Sequence, residues 1–284
     1  MVETVKLLSE FPITRFVELV NEVFSDYSVP IKWDILSFNL DARENSVSLS
    51  DSFVFLKDDK PVGFVVCCIR GTRGRIDAMG VVKSERGTGL AYRILAHALD
   101  ALRWKKVQTV VLEVLKTESK AVRFYEKNGF RTIRELHSMM REIETFSESE
   151  ELTVVMADPR WIHQASIEAS LNLHRSPNWQ REPATLLLSS GRYKYGRVNF
   201  RRTQGYLVWG SNQENAFIVD CSPIKVLEVY PDLLDAASKY VCKVENKRYC
   251  AIFNVPENDP MYNAALQCGF KVFLTQLEMK LELY

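Results

Sequence analysis

The sequence predicts an α+β protein built from two copies of one domain. Two observations carry this. Strand-like and helix-like segments alternate through the first half, with an early hairpin pattern. A stretch near the end of that half, "SKAVRFYEKNGFRTIREL", is also echoed by "DPMYNAALQCGFKVFLTQL" near the C-terminus. Gly129 and Phe130 recur 140 positions later as Gly269 and Phe270, Arg131 as Lys271 and Ile133 as Phe273. The same shift sets "VVLEV" against "YCAIFN". Self-similarity at about domain length points to a duplicated fold.

The elements follow in order. In "PITRFVELVNEVFSDY", Phe16, Val17, Val20, Val23 and Phe24 fall on one face of a helix. "DSFVFLKDDKPVGFVVCCIR" reads as two strands around a turn at Lys57 to Pro61, and "GRIDAMGVV" as a further strand. "VVKSERGTGLAYRIL", residues 81 to 95, runs from strand through a basic glycine loop into a helix. Leu90, Ile94, Leu95, Ala98, Leu99 and Leu102 form its apolar stripe. "VQTVVLEVL" is a β-branched strand, and "SKAVRFYEKNG" a helix that Gly129 is placed to end. "FRTIRELHSMMREI" supplies one or two closing strands. The polar, acidic "ETFSESEE" then has no apolar period and reads as a linker. The expected division is a domain at 1–145, a linker at 146–151 and a second domain at 152–284. In the second half, "GYLVWGSNQENAFIVDC" reads as a hairpin turning near Asn212 to Asn215, expected to repeat "SFVFLKDDKPVGFVVC". "YPDLLDAASKYV" is a helix.

Composition narrows the function. The 284 residues are 46% hydrophobic and 26% charged with a net charge of +1, a globular composition without the basic field of a nucleic-acid binder. The N-terminal residues lack the pattern of a secretory signal, and no stretch reaches the ~20 apolar residues that span a bilayer. The expectation is a cytoplasmic protein with no membrane or nucleic-acid partner. Cys67, Cys68, Cys221, Cys242, Cys250 and Cys268 form no C-x-x-C pair and read as buried thiols. The four histidines show no ligand spacing, so no metal is expected.

The loop at 81 to 95 is the chemical signal. A glycine loop entering a helix gathers unpaired backbone N–H groups at the positive end of the helix dipole, a cradle for phosphate. Gly87 and Gly89 leave room for the ligand, and Arg86 and Lys83 offer charge. The nucleotide-type loops do not fit: no Lys-Ser or Lys-Thr follows Gly89, and the third glycine of G-x-G-x-x-G is missing, with Tyr92 nearby too bulky to serve.

Residues 86–91 fit R-x-x-G-x-[AG], and A-x-x-x-Y-x-x-x-G-F follows as Ala121, Tyr125, Gly129 and Phe130. This pair of motifs resembles the GNAT superfamily of N-acetyltransferases over about residues 50 to 141, and more loosely from 1 to 49. The resemblance implies two domains, each a mixed, mostly antiparallel twisted sheet with helices on both faces. It implies acetyl-coenzyme A as cosubstrate and a small-molecule or peptide amine as acceptor. Carried over, Arg86, Gly87, Thr88, Gly89, Leu90 and Ala91 hold the pyrophosphate, and Met79, Gly80, Val81 and Val82 pair with the pantetheine arm. The Val81 N–H serves the thioester oxygen, and Tyr125 protonates the departing thiolate. Where the family often has Asn, this chain has Glu118; Ser119 is the substitute, or simply a helix cap. An amine nucleophile must lose a proton, for which Asp77 is the first candidate and Glu113 the second. Strand alternation puts Asp77, Met79 and Val81 on one face.

The second half lacks these residues. Ala265 stands at the place of Tyr125, and "PIKVLEVYPDLL" has no glycine. Residues 152–284 therefore read as a degenerate copy serving packing, cleft building or homodimer contact, although Asn258 stands where the family Asn would. The basic, aromatic stretch "RSPNWQREPATLLLSSGRYKYGRVNFRR" reads as a solvated surface, or as the lining of a cleft for an acidic partner. The competing reading of the whole chain is a non-catalytic coenzyme A-binding or scaffold protein.

Overall fold

The computed structural model describes residues 3–29, 32–144 and 151–284. The expected linker lies outside them except for Glu151. The chain forms two compact units, one of Met1–Glu113, Arg123–Arg131 and Met279–Tyr284, the other of Val114–Val122 and Thr132–Glu278.

The first unit is built on strands β1 (Glu3–Leu7), β2 (Phe53–Lys57), β3 (Lys60–Arg70), β4 (Arg73–Val81) and β5 (Thr109–Leu115), neighbours in that order. The first four pair antiparallel and β5 runs parallel to β4. Asp58 and Asp59 turn the β2–β3 hairpin in the left-handed region, as a tight hairpin needs. Helix α1 (Ile13–Val23) buries Phe16, Val17, Leu19, Val20 and Val23. Phe16 meets Phe38 and Phe64 edge-on at 5.2 and 5.4 Å. Phe38 lies on α2 (Ile35–Asn45), a helix the apolar pattern did not announce because it is mostly polar. Its start is set by a capping box between Asp34 and Ser37. The stripe expected on α3 (Leu90–Trp104) is buried in full. Helix α4 (Ser119–Lys127) is followed by Gly129 at φ +89°, the left-handed residue that ends it.

The second unit holds β6 (Arg131–Glu142) except its first residue, β7 (Leu152–Met156), α5 (Pro159–Asn172), α6 (Pro183–Leu188), β8 (Lys194–Phe200), β9 (Thr203–Ser211), β10 (Ala216–Pro223), α7 (Tyr230–Glu245), β11 (Tyr249–Pro256), α8 (Pro260–Gln267) and β12 (Lys271–Glu282) up to Glu278. Its strand order is β12-β6-β11-β10-β9-β8-β7. The closing stretch 131–142 is thus one strand.

The register makes the repeat specific. In the first unit Val66 faces Ala78 but Cys67 faces Ile76, leaving Asp77 as an extra residue, a β-bulge. In the second, Val208 faces Asp220 and Trp209 faces Ile218, leaving Val219. The last parallel rungs match too, Ile76 with Leu112 and Ile218 with Ile252. The hairpin at 205–221 therefore repeats β3–β4, not the β2–β3 hairpin expected from its turn. Turn chemistry marks a hairpin but not which one; the bulge and the parallel rung decide. In these strands the shift is two residues longer than at Gly129 and Gly269.

Candidate active site

Strand β4 leads into the glycine loop. Gly80 is packed so closely on α1 that an added Cβ would collide with a methyl of Val23. Beyond it, Gly87 and Gly89 have φ of +82° and +84°, a region costly to other residues. A Cβ at Gly87 would meet nothing within 4 Å, and at Gly89 only the Arg93 guanidinium at 3.5 Å. Both glycines are thus required by backbone direction, with open space beside them. Gly89 stands at the N-cap of α3, where no side chain caps the helix. The N–H groups of its first turn are left for a ligand or water. The residues present fit a phosphate group.

The charge expected from Arg86 is committed elsewhere. Its guanidinium grips Asp26 with two bonds of 2.7 and 2.8 Å and donates to the Val23 carbonyl at 3.1 Å. It ties the loop to the end of α1. The Arg86 hydrogen bond and charge hold the Asp26 carboxyl below its usual range.

Just past β4, Val82 donates to the Val62 carbonyl at 2.9 Å. Backbone groups alternate along an antiparallel strand, so the Val81 and Met79 N–H groups point to the other edge, toward β5. The β4–β5 pairing stops at Ile76 and Leu112, so this edge is open. Past the last rung stand Asp77 and Glu113, brought together by Arg75. Its guanidinium lies 3.0 Å from Asp77 Oδ1 and 3.5 Å from Glu113 Oε2. Burial pushes the Asp77 carboxyl above its usual range and Arg75 opposes the rise. The bulge breaks the strict alternation expected for Asp77, Met79 and Val81.

Tyr125 is half-buried on α4, edge-on to Phe124 at 5.2 Å and Phe130 at 5.7 Å. Burial, with Tyr27 nearby, pushes its hydroxyl well above its usual pKa. Ser119 opens α4, its N–H bonded to the Thr117 carbonyl at 3.0 Å. Leu90 is buried and Ala91 half-buried. Sequence reasoning missed Arg75 and Asp26. Arg75 had a signal, a basic and an acidic residue two apart within a mostly apolar strand; Asp26 had none.

Residues 13–130 match the Acetyltransferase (GNAT) family. The chain carries a GNAT domain. N-alpha-acetyltransferase 30 of Schizosaccharomyces pombe (strain 972 / ATCC 24843) is 36% identical over 91 residues, 30% of this chain and 61% of its own length. The chain thus spans about three fifths of that relative. A tandem GNAT protein from the clavulanic acid biosynthesis pathway shares the fold over 100% of this chain and 99% of its own, with TM-score 0.71 and 14% identity. A GCN5-related N-acetyltransferase from Sphaerobacter thermophilus covers 99% of this chain and 95% of its own, with TM-score 0.67 and 12% identity. Both halves of this chain therefore share the tandem GNAT architecture.

The second GNAT fold is built differently at the same places. By register, Val81 corresponds to Pro223, which has no N–H to offer. Asp220 replaces Ala78 and is held by Arg175 through bonds of 2.8 and 3.0 Å, by Arg181 at 3.3 Å and by the Tyr206 hydroxyl at 2.5 Å. Arg175 also reaches Asp259 at 3.3 Å. Arg175 and Arg181 come from the stretch expected to be a solvated basic surface. They are buried instead, because two buried carboxylates draw them in.

Among the described residues no group of three or more His, Cys, Asp and Glu is placed to hold a metal. No helix among them is long and apolar enough to cross a membrane.

Proposed function

We propose that the first unit is an acetyl-coenzyme A-dependent N-acetyltransferase, acting on a primary amine of a peptide or small molecule in the cytoplasm. The observation that carries this is the open edge of β4 running into a glycine loop and an uncapped helix. Backbone N–H groups of the 86–91 loop bind the pyrophosphate, foremost those of Gly87, Gly89, Leu90 and Ala91, since Arg86 and Thr88 donate to the Lys83 and Glu85 carbonyls. Those of Met79 and Val81 bind the pantetheine arm and thioester. The coenzyme supplies an activated acetyl group. Asp77, with Glu113 beside it, takes a proton from the acceptor ammonium, leaving a neutral amine to attack. The Val81 N–H stabilises the negative charge developing on the thioester oxygen, an effect worth several kcal/mol where the donor is fixed in advance. Tyr125 donates to the departing sulfur. Its raised pKa exceeds the roughly 8.5 of a thiol, so it acts by a hydrogen bond to the departing sulfur, and the proton that completes the thiol comes from the attacking nitrogen.

The kinship to an N-alpha-acetyltransferase supports a peptide N-terminus as the acceptor. An α-amine, with pKa about 7.7–8.0, is easier to deprotonate than a lysine at about 10.4. The second unit, without an amide at Pro223 or a phenol at Ala265, is a degenerate copy that supports the first. Glu118, where the family often has Asn, favours the second reading, a coenzyme-binding scaffold without turnover. A thiol-release assay with peptides and small amines tests both. Release with at least one amine supports the transferase; coenzyme binding by calorimetry with no release supports the scaffold.

A further inference from the structure

The three charged residues at the parting of β4 and β5 form one device. The side chains of Arg75, Asp77 and Glu113 are 6%, 7% and 4% exposed. One guanidinium bridges two carboxylates on neighbouring strands, beside the edge to which the Val81 N–H is directed. We propose that Arg75 is a positioning residue whose guanidinium bridges the Asp77 and Glu113 carboxyls and readies the pair to take one proton from the acceptor ammonium. This rests on the reading of Asp77 and Glu113 as the proton acceptors.

Two buried carboxylates left to themselves share a proton, because neighbouring like charges out of water cannot both ionise. A pair already holding that proton is a poor base. Around Asp77, burial, Asp41 of α2 and Glu113 of β5 favour the protonated form, while Arg75 and Arg70 of β3 oppose it. The neighbouring Cys67 and Cys68 thiols of β3 are pushed far up by burial and stay neutral. A guanidinium does not deprotonate in this range, so Arg75 keeps one positive charge between the two carboxyls. The proton balance then closes. The ammonium N–H bond breaks to a carboxylate oxygen and frees the lone pair. After attack, the nitrogen's second proton leaves with the thiolate as thiol, and the carboxylate proton returns to solvent. A lysine would supply the charge but not the fork that reaches both strands.

The test reads carboxylate titration directly, by 13C NMR of the side-chain carboxyls in the full chain, assigned with Asp77→Asn and Glu113→Gln. It is paired with the pH profile of kcat/KM on the amine found in the thiol-release panel. Arg75→Met is expected to raise the titration of one carboxylate by at least about one pH unit, with the acid limb of kcat/KM moving up alike. Arg75→Lys is expected to raise both by less. Calorimetry with acetyl-coenzyme A and thermal melting check the fold; if Arg75→Met does not fold, Arg75→Lys carries the test. Titrations and limb unmoved in the folded variants would overturn the proposal, leaving Arg75 a packing residue. Should Asp77→Asn and Glu113→Gln both keep the wild-type acid limb, the base reading falls and the proposal with it. If they lose the limb while the Arg75 variants keep it, the proposal alone falls.

Discussion

Tyr125 and Gly89 are single residues with separable consequences. With its pKa pushed up by burial, the Tyr125 phenol stays protonated through the whole range in which an acceptor amine is tested. It should therefore produce no alkaline limb in kcat, and Tyr125→Phe should lower kcat by at most about 10²–10⁴ with acetyl-coenzyme A affinity nearly unchanged. Steady-state kinetics at saturating coenzyme checks this, and unchanged turnover would remove the phenol from the reaction. At Gly89, φ of +84° leaves space for a methyl group but not the right backbone energy. Gly89→Ala should cost about 1 kcal/mol of stability through the left-handed backbone and weaken coenzyme binding measured by calorimetry. Gly89→Trp should abolish that binding while the second unit stays folded. Tyr125 and the two loop glycines were legible because a motif names residue types at fixed spacing. Asp26 was not, since its partner lies 60 positions away, and Arg75 showed only through Asp77 two positions on, its second partner Glu113 being 38 away.

At the scale of elements, amphipathic stripes announced α1 and α3 and β-branched runs announced β5. Helix α2 escaped because its sequence is polar and its start depends on the Asp34 cap more than on a stripe. The loop–helix junction carries a prediction of the same kind. Arg86 and Asp26 are 41% and 39% exposed, so their pairing is screened by water and adds little stability. Its use is to hold the loop to α1. Asp26→Asn should leave the thermal midpoint almost unmoved yet loosen the loop and raise the Kd for acetyl-coenzyme A several-fold. A matching loss of stability and affinity would show instead that the pair holds the fold.

For the whole molecule, a duplicated sequence became two units that solve one packing problem differently. The repeat was legible from Gly129-Phe130 and Gly269-Phe270, but the shift between the copies changes in the strands, and only the pairing register exposes that Pro223 stands for Val81. The same register puts Asp220 where the first unit has Ala78. The burial of Asp220 raises its proton affinity, and Arg175, Arg181 and the Tyr206 hydroxyl more than reverse this, leaving its carboxyl below the usual range. A carboxylate with a depressed folded pKa contributes stability above its unfolded pKa, about 3.9, and loses it as pH falls through the folded value. The second unit should thus weaken in acid below about pH 4. Removing the carboxylate takes from Arg181 its ion-pair partner and leaves Arg175 with Asp259, so Asp220→Ala should cost about 3–5 kcal/mol in urea unfolding. The first unit's chemistry does not use this network. Coenzyme binding should accordingly have a stoichiometry of one per chain, and Tyr125→Phe should lower all turnover in one phase. A second equivalent of acetyl-coenzyme A in calorimetry, surviving Gly89→Trp, would show that the second unit kept a site of its own despite Pro223.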